Sequence, residues 1–360
     1  MFIIFVCSII MNKENIEHKF ADNEGIILHQ AMEALAVIAP LDYVVEPATY
    51  LRDQEYDYLV KGIVFGKKFV WCVNIKTRLT RTGEMQLLIG KDKALHPLLL
   101  VTGYVPPEAA DRLRSIGIEF IDKAGNMFIN QPPLLIFVKG NKPEKEKNTM
   151  PGTRLFKGVG LKIVYLLLCR PDLVNSSYRD LSEMTGVALG TVNTTITELL
   201  MKDFILDMGK RGKKILNRKK LFERWVEAYP DYLKPKLFLG RFHGDEFWWK
   251  NTNLDPASAQ WGGEIAASKL TGYLKPGSAA LYTDKKFLTD LVITNRLKKD
   301  PQGNVEIFER FWPMDYGFGD LDTTHPIIIY ADLLAIGDQR TTETAKMIYE
   351  QYLDQYFRQD

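Results

Sequence analysis

Cysteine is scarce in this chain of 360 residues, which contains three: Cys7, Cys72 and Cys169. They lie far apart, and none belongs to a Cys-x-x-Cys pair or to a Cys/His spacing. This distribution argues against a disulfide framework and against a structural zinc site, and it fits a reducing compartment. We therefore expect a cytoplasmic protein that needs no metal and no other cofactor.

Long apolar runs, internal repeats and low-complexity tracts are also missing. The N-terminal stretch MFIIFVCSII, residues 1–10, covers about half of the length that a membrane-spanning helix needs. It has neither the basic start nor the small-residue cleavage site of a secretory signal. Two interpretations stay open: translation starts at Met11, or the stretch is an extra strand or a partner-binding arm. Neither predicts a membrane protein.

A strong net charge is absent, because the formal charge at pH 7 is only +2. The charge is nevertheless unevenly spread. Lys139 to Lys220 holds 17 basic and 8 acidic residues, a net of +9, which leaves −7 for the rest of the chain. A basic middle in an otherwise acidic chain predicts one domain that binds a polyanion.

Residues 1–138 are predicted to form an α/β domain. For residues 1–23 two interpretations stay open: they are disordered, or the start codon is wrongly assigned. Apolar spacing predicts a helix over 24–39 and another from Pro106 up to Gly117. The segment EFIDKAGNMFIN predicts strand, turn and strand. Further strands are predicted at 43–46, 57–65, 68–76, 85–89 and 98–103.

The rest of the chain is predicted to form two more domains. KGNKPEKEKNTMPG, residues 139–152, is charged, poor in apolar residues and bounded by proline and glycine, as in a linker. We predict a winged helix-turn-helix over 153–235 and an α+β domain over 236–360. The fold class is therefore a multidomain combination of α/β and α+β.

The helix-turn-helix prediction rests on three helical segments. GLKIVYLLLCR predicts an apolar helix that ends at Pro171. SSYRDLSEMTG predicts a short helix, capped by Ser176 or Ser177 and ended by Gly186. In the third helix, VALGTVNTTITELLMKDF, the apolar face consists of Val192, Ile196, Leu199 and Leu200. Its opposite face is small and polar, as expected of a recognition helix, and consists of Gly190, Thr191, Asn193, Thr194 and Thr197.

The following segment, FILDMGKRGKKILN, predicts a strand, a basic turn and a strand, which together form a wing. Gly209 to Lys220 contains seven basic residues and no acid. We expect the wing to contact phosphates while the third helix enters the major groove. Two alternatives stay open, a protein-interaction domain and plain solvent-facing residues. The basic residues predicted at the wing are Lys210, Arg211, Lys213 and Lys214.

An acid and a lysine in DYLVKGIVFGKKFVWCVNIK, residues 57–76, have the spacing of a restriction-endonuclease-like site. Such nucleases hold Mg²⁺ with two or more acids and use a lysine to assist the attacking water. Asp57 and Lys76 fit, and Glu33 could be a further acid. Asn74 stands where a second central acid is needed, and a neutral amide is a weak Mg²⁺ ligand. The first domain thus resembles the restriction-endonuclease-like fold, and we expect it to lack catalysis.

The C-terminal domain contains two distinctive segments. WGGEIAASKLTGYLKPGSAALYTD, residues 261–284, predicts a helix begun by Gly-Gly and then a strand. HPIIIYADLLAIGDQRTTETAKMIYEQYL predicts a buried strand, a loop and a final helix. The Gly-Gly pair suits phosphate binding or close helix packing, and packing is favoured because no Asp-x-Asp follows it at nucleotidyltransferase spacing. Candidate partner-facing residues, with ordinary surface residues as the alternative, are Gly262, Gly263, Glu264 and Arg340.

The order of these segments resembles the AbiEi-type antitoxins and transcriptional regulators of type IV toxin–antitoxin systems. The matching pieces are EFIDKAGN, the helix-turn-helix, GGEIAASKLTGYLKPGSAALYTD and IIIYADLLAIGDQRTTETAKMIYE, so the resemblance extends from about residue 25 onward. It implies a regulator that binds double-stranded operator DNA through the winged helix and represses its own operon. It also implies a nucleotidyltransferase-like toxin encoded alongside.

Three functions are compatible with these patterns. We expect a DNA-binding transcriptional regulator, the antitoxin of a type IV system, with no enzymatic activity. The first alternative is a Mg²⁺-dependent nuclease that the winged helix directs to DNA. The second is a protein-interaction scaffold. The nuclease-like first domain leaves open whether the chain is an antitoxin or a free-standing regulator, and a homodimer is one assembly to be tested.

Overall fold

The computed structural model describes residues 23–39, 41–47, 56–91, 94–132, 134–143, 155–245, 248–313 and 322–357. The chain divides into two compact units, unit 1 (Met1–Thr149) and unit 2 (Met150–Asp360). The apolar stretch 1–10 and residues 144–152 of the predicted linker lie outside the described residues. Within the part that is described, no helix combines the length and the apolarity needed to cross a membrane.

Unit 1 contains a seven-stranded sheet whose strands pair in chain order. The strands are β1 (Leu41–Pro47), β2 (Tyr58–Val64), β3 (Lys67–Lys76), β4 (Leu98–Thr102), β5 (Glu119–Asp122), β6 (Met127–Gln131) and β7 (Leu134–Val138). β3, β4 and β5 are parallel, and the pairs on either side are antiparallel. Phe65 and Gly66, both with positive φ, form the two-residue turn between β2 and β3.

Both faces of this sheet are packed by helices. Helix α1 (Asn23–Ile38) packs on the face that includes Val73 and Ile75. Helices α2 (Arg81–Lys91) and α3 (Pro107–Ser115) pack on the face that includes Cys72. Two separate hydrophobic cores therefore stabilise the sheet, one on each side.

The strand predicted at residues 85–89 is wrong, because these residues lie within α2. Met85, Leu87 and Ile89 alternate with less buried residues, and this alternation imitates a strand with one buried face. A local capping residue at the start of α2 indicates a helix more strongly than this alternation indicates a strand. The hydroxyl of Thr80 accepts the N–H of Gly83 (3.0 Å), which is the side-chain cap that begins a helix.

Unit 2 begins with three helices and a short hairpin. The elements are α4 (Gly160–Cys169), a 3₁₀ helix (Pro171–Asn175), α5 (Tyr178–Thr185), α6 (Leu189–Met201), β8 (Ile205–Asp207), a second 3₁₀ helix (Gly209–Arg211) and β9 (Lys213–Ile215). Ser177 caps α5 by accepting the N–H of Asp180 (3.1 Å), and Gly186 ends α5 with a φ of 62°. Both predicted boundaries of this helix are confirmed.

A five-stranded sheet forms the remainder of unit 2, in the order β11-β12-β14-β10-β13. The strands are β10 (Phe238–His243), β11 (Ala259–Gly262), β12 (Ala279–Thr283), β13 (Lys298–Lys299) and β14 (Val305–Glu309). The helices are α7 (Arg218–Tyr232), α8 (Lys234–Leu237), α9 (Gly263–Thr271), α10 (Leu288–Thr294), α11 (Pro326–Ile336), α12 (Gln339–Ile348) and α13 (Asp354–Phe357), with a π-helical turn at Tyr349–Leu353.

The buried strand predicted after His325 is wrong, because these residues form α11. Its residues 326–334 are all buried, so the helix shows no amphipathic period and its isoleucines imitate a buried strand. Residues at both ends of α11 favour a helix. The His325 ring accepts the N–H of Ile327, Pro326 occupies the first turn, and Gly337 ends the helix in the left-handed conformation.

Candidate nucleic-acid interface

The exposed face of α6 carries the small and polar residues predicted from the sequence. Gly190, Asn193 and Thr194 are exposed, whereas Thr191 and Thr197 are half-buried. The packed face differs in one position from the prediction. Leu200 is only half-buried, and Thr195 is buried instead.

Two contacts, or their absence, characterise the start of this face. The hydroxyl of Thr194 donates to the carbonyl oxygen of Gly190 (2.9 Å), so its lone pairs stay available to an external donor. A Cβ added at Gly190 would meet no atom of the chain within 4 Å. The chain's own packing therefore does not require glycine at this position.

The hairpin formed by β8 and β9 carries the predicted basic residues. Asp207 pairs with Lys213 and Ile205 with Ile215 in antiparallel register. Lys210, Arg211 and Lys214 are exposed, and Lys213 is half-buried. The hairpin thus carries two cations in its turn, Lys210 and Arg211, and two on β9, Lys213 and Lys214.

Arg218 is one of the seven basic residues between Gly209 and Lys220, but it is not exposed. This residue is buried at the start of α7, and its guanidinium donates to the carbonyl oxygen of Leu168 (3.0 Å). The guanidinium carbon also lies 5.3 Å from the ring centre of Phe357. Arg218 therefore stabilises the packing of α7 and does not belong to the exposed basic surface.

Sequence reasoning missed Asn175, the last residue of the first 3₁₀ helix. Its carboxamide oxygen accepts the N–H of Lys213 (2.6 Å), and its nitrogen donates to the carbonyl oxygen of Lys213 (2.9 Å). No local signal identifies this contact, because the two residues are 38 positions apart in the chain.

In unit 1, Asn74 and Lys76 lie on the sheet face that packs against α2. They alternate with Val73 and Ile75, which face α1. The carboxylate of Asp57 accepts the N–H of Ile75 (2.7 Å). Lys76 is only 5% exposed, and its ammonium donates to the side-chain oxygen of Gln86 on α2 (3.3 Å).

Glu33 is not brought to this position. It lies on α1, which packs on the opposite face of the sheet, and its carboxylate is 3.3 Å from the imidazole of His29. Burial raises the pKa of Tyr43 on β1, and the charge of Glu33 raises it further. Among the described residues, no group of three or more His, Cys, Asp or Glu side chains is arranged to hold a metal ion.

The EFIDKAGN segment, residues 119–126, makes internal contacts. Glu119 accepts the indole N–H of Trp71 (2.7 Å). Asp122 is fully buried and accepts the N–H of Val105 (2.8 Å) and the amide of Asn126 (2.7 Å). Burial raises the pKa of Asp122, and these hydrogen bonds oppose that rise. The polar residues of this motif therefore hold unit 1 together.

The Gly-Gly pair of unit 2 lies in the interior, where it permits close packing. A Cβ on Gly262 would lie 2.5 Å from a ring carbon of Tyr282. The N–H of Gly263 donates to the carboxylate of Asp332 (3.2 Å), which also accepts the ammonium of Lys234 (2.7 Å). The chain's own carboxylate thus occupies the position at the start of α9 that an anion would take.

Glu264 and Arg340 form an internal pair instead of a partner-facing surface. Glu264 is 4% exposed and accepts the N–H of Gly277 (2.6 Å). The guanidinium of Arg340 lies 3.4 Å from the carboxylate of Glu264 and donates to the carbonyl oxygen of Lys275 (2.7 Å). The expectation that Gly262, Gly263 and Glu264 face a partner is therefore wrong for this conformation, and Arg340 is half-exposed at the edge of the pair.

Comparison with known families finds a match within unit 2. Residues 214–354 match a family model described as a transcriptional regulator, AbiEi antitoxin, of type IV toxin–antitoxin systems. Over these residues the chain is similar to the AbiEi family. No curated protein and no solved structure gave a significant match.

The AbiEi region, residues 214–354, covers part of the resemblance seen in the sequence. It includes GGEIAASKLTGYLKPGSAALYTD (262–284) and IIIYADLLAIGDQRTTETAKMIYE (327–350). It begins within β9, so EFIDKAGN and helices α5 and α6 lie outside it. The AbiEi resemblance is therefore supported over the C-terminal part of the chain, and the DNA-contact residues ahead of Lys214 are argued from their geometry.

Proposed function

We propose that the protein is a DNA-binding transcriptional regulator whose residues 153–235 form a winged helix-turn-helix. The observation that carries this proposal is the joint exposure of two surfaces in unit 2, the small polar face of α6 and the basic hairpin. The AbiEi region lies in the same compact unit, and its family is described as transcriptional regulators. A DNA-binding surface beside such a region is the arrangement that a repressor needs.

In the proposed binding mode, the hairpin contacts phosphates and α6 contacts base edges. Lys210, Arg211 and Lys214 neutralise phosphates, which positions the protein without reading the sequence. Asn193 and Thr194 on α6 supply hydrogen-bonding groups for base edges in the major groove. The exposed face of α6 carries no arginine or glutamine, so phosphate contacts provide most of the affinity.

The test is binding of the full-length chain to the DNA upstream of its own operon, followed by fluorescence anisotropy. Replacing Lys210, Arg211, Lys213 and Lys214 with alanine is expected to abolish binding at moderate salt. The matched control removes four other exposed lysines of unit 2, Lys250, Lys286, Lys298 and Lys299, and is expected to bind much more tightly than the hairpin variant. Absence of binding by the wild-type protein at low salt would overturn the proposal.

The biological role follows from the AbiEi description of the matched family. We propose that the chain is the cytoplasmic antitoxin of a type IV system, represses its own operon and counteracts a nucleotidyltransferase-like toxin encoded alongside. Co-expression with the neighbouring gene tests this role. Growth rescue by the chain is expected, and growth arrest that the chain leaves unchanged would contradict the antitoxin assignment.

For unit 1 we propose a role without nuclease chemistry. Asn74 replaces an acid, Lys76 is buried against Gln86, and Glu33 lies on the other face of the sheet. Incubation of supercoiled DNA with Mg²⁺ is expected to give equal, background nicking by the wild-type protein and by Lys76→Ala. Nicking by the wild type that Lys76→Ala abolishes would establish the alternative, a Mg²⁺-dependent nuclease.

A further inference from the structure

Asn175 is placed where a third strand of the hairpin sheet would lie. The sheet formed by β8 and β9 has only two strands of three residues each, and isolated two-stranded hairpins are marginally stable in water. On the outer edge of β9, both backbone groups of Lys213 bond to the single carboxamide of Asn175. One side chain therefore provides the donor and the acceptor that a neighbouring strand would supply.

The backbone of the hairpin at Gly212 lies close to the side chain of Asn175. Gly212 precedes Lys213 and has a φ of 82°, which favours glycine. A Cβ at Gly212 would lie only 2.6 Å from the carboxamide oxygen of Asn175. A residue with a side chain at position 212 would therefore force the carboxamide of Asn175 or the hairpin to move.

The contact links the basic hairpin to the helical segment that leads into α5. Asn175 ends the 3₁₀ helix that leads directly into the Ser177 cap of α5. Lys213 lies between the exposed cations Arg211 and Lys214 on the hairpin. Asn175 therefore joins the helical part of the site to the segment that carries its positive charge.

We propose that Asn175 is the positioning residue of the wing, fixing the hairpin so that its cations and α6 contact the same DNA duplex at once. This inference rests on the proposed function. Holding the hairpin before binding removes the cost of ordering it during binding, which raises affinity without any additional interaction with DNA. Asn175 is uncharged, so replacing it with alanine removes no charge from the surface.

The experiment is a double-mutant cycle in the full-length chain, with Asn175→Ala and Lys210→Ala/Arg211→Ala measured separately and together on operator DNA. We expect Asn175→Ala to weaken binding severalfold and to lower the salt slope by about 0.9 for each phosphate that the displaced hairpin no longer neutralises. Because it acts through the hairpin, it is expected to cost less affinity in the Lys210→Ala/Arg211→Ala variant than in the wild type, since only Lys213 and Lys214 then remain to be displaced. The control Asn253→Ala, also at an exposed position, is expected to bind like the wild type.

Two readouts separate the possible failures. Additive effects in the cycle would mean that Asn175 contacts DNA itself, and unchanged affinity and salt slope in Asn175→Ala would mean that it does not position the wing; either result overturns the inference alone. Absence of DNA binding by the wild type overturns the proposed function and this inference with it. Hydrogen exchange of the Lys213 backbone N–H is expected to accelerate in Asn175→Ala. Unchanged exchange would show that the hydrogen bonds between Asn175 and Lys213 do not form in solution, and it would overturn the inference.

Discussion

At the scale of single residues, Gly190 has a cost that the fold does not explain. Glycine in a helix interior costs about 1 kcal/mol relative to alanine, and Gly190, the second residue of α6, bears at most that cost. A Cβ at Gly190 would meet no atom of the chain within 4 Å. The proposed function supplies a reason, because a residue without a side chain lets the backbone of α6 come close to DNA.

Gly190→Ala is therefore expected to change stability and binding in opposite directions. The free energy of unfolding should rise by up to about 1 kcal/mol, since alanine is the better helix former. The affinity for operator DNA should fall, because the added methyl group holds the helix away from the groove. Urea unfolding and anisotropy measure the two quantities. Unchanged or higher affinity would remove Gly190 from the proposed interface.

His325 gives the protein a specific dependence on pH. Its buried ring accepts a hydrogen bond from Ile327, and burial lowers the pKa of His325 from 6.5 to about 4. The unfolded chain therefore binds a proton that the folded chain does not bind between these values, so stability falls as pH falls through this window. The full effect is on the order of 3 kcal/mol.

The test compares the wild type with His325→Asn, which keeps an acceptor for the N–H of Ile327. Because carboxylates titrate in both proteins, the informative quantity is the difference in unfolding free energy at each pH. That difference is expected to move in favour of the asparagine variant as pH falls from 6.5 to 4. A difference that stays constant over this range would show that His325 is protonated in the folded protein.

At the scale of elements, prediction succeeded where capping residues close in sequence mark both ends of a helix. Helix α5 has its Ser177 cap, the reciprocal Asp180 and the terminal Gly186 within a few residues of sequence. Helices α2 and α11 were predicted as strands because short apolar runs fit both periods. Residues 326–334 of α11 are buried on all sides, and both helices begin at a side-chain cap, Thr80 for α2 and His325 for α11.

Helix α11 also supplies the polar centre of unit 2. The carboxylate of Asp332 is 1% exposed and accepts hydrogen bonds from Lys234, Tyr282 and Gly263. Tyr282 in turn lies 2.6 Å from the hydroxyl of Tyr229 on α7. These contacts join α7 and α8 to β12, α9 and α11.

Asp332→Ala is expected to destabilise unit 2 strongly, because it leaves the ammonium of Lys234 without its buried partner. Removing one member of a buried ion pair costs about 3–5 kcal/mol. Asp332→Asn, which preserves the shape and some hydrogen bonds, is the matched comparison and should cost less. Urea unfolding of both variants measures the effect. A decrease of less than about 1 kcal/mol in the alanine variant would mean that the network is not a stabilising centre.

At the scale of the whole molecule, the sequence predicts surfaces better than interiors. Helical period determines which residues of α6 are exposed, and the basic hairpin is visible as a run of cations. The burial of Arg218 and Glu264 and the Asn175 contact depend on residues 38 to 76 positions away, which a single sequence does not pair. Functional residues held by such contacts were therefore missed or misplaced.

The uneven charge of the molecule allows the DNA-binding surface to be located by salt dependence. The logarithm of the affinity should fall linearly with the logarithm of salt concentration, with a slope of about 0.9 for each phosphate contact. If all four hairpin cations contact phosphates, their replacement by alanine should lower the slope by about 3.6. In unit 1, replacing Lys61, Lys67 and Lys68 should leave the slope unchanged, because the proposed surface lies in unit 2. An equal reduction by the unit 1 variant would show that DNA also contacts the sheet of unit 1.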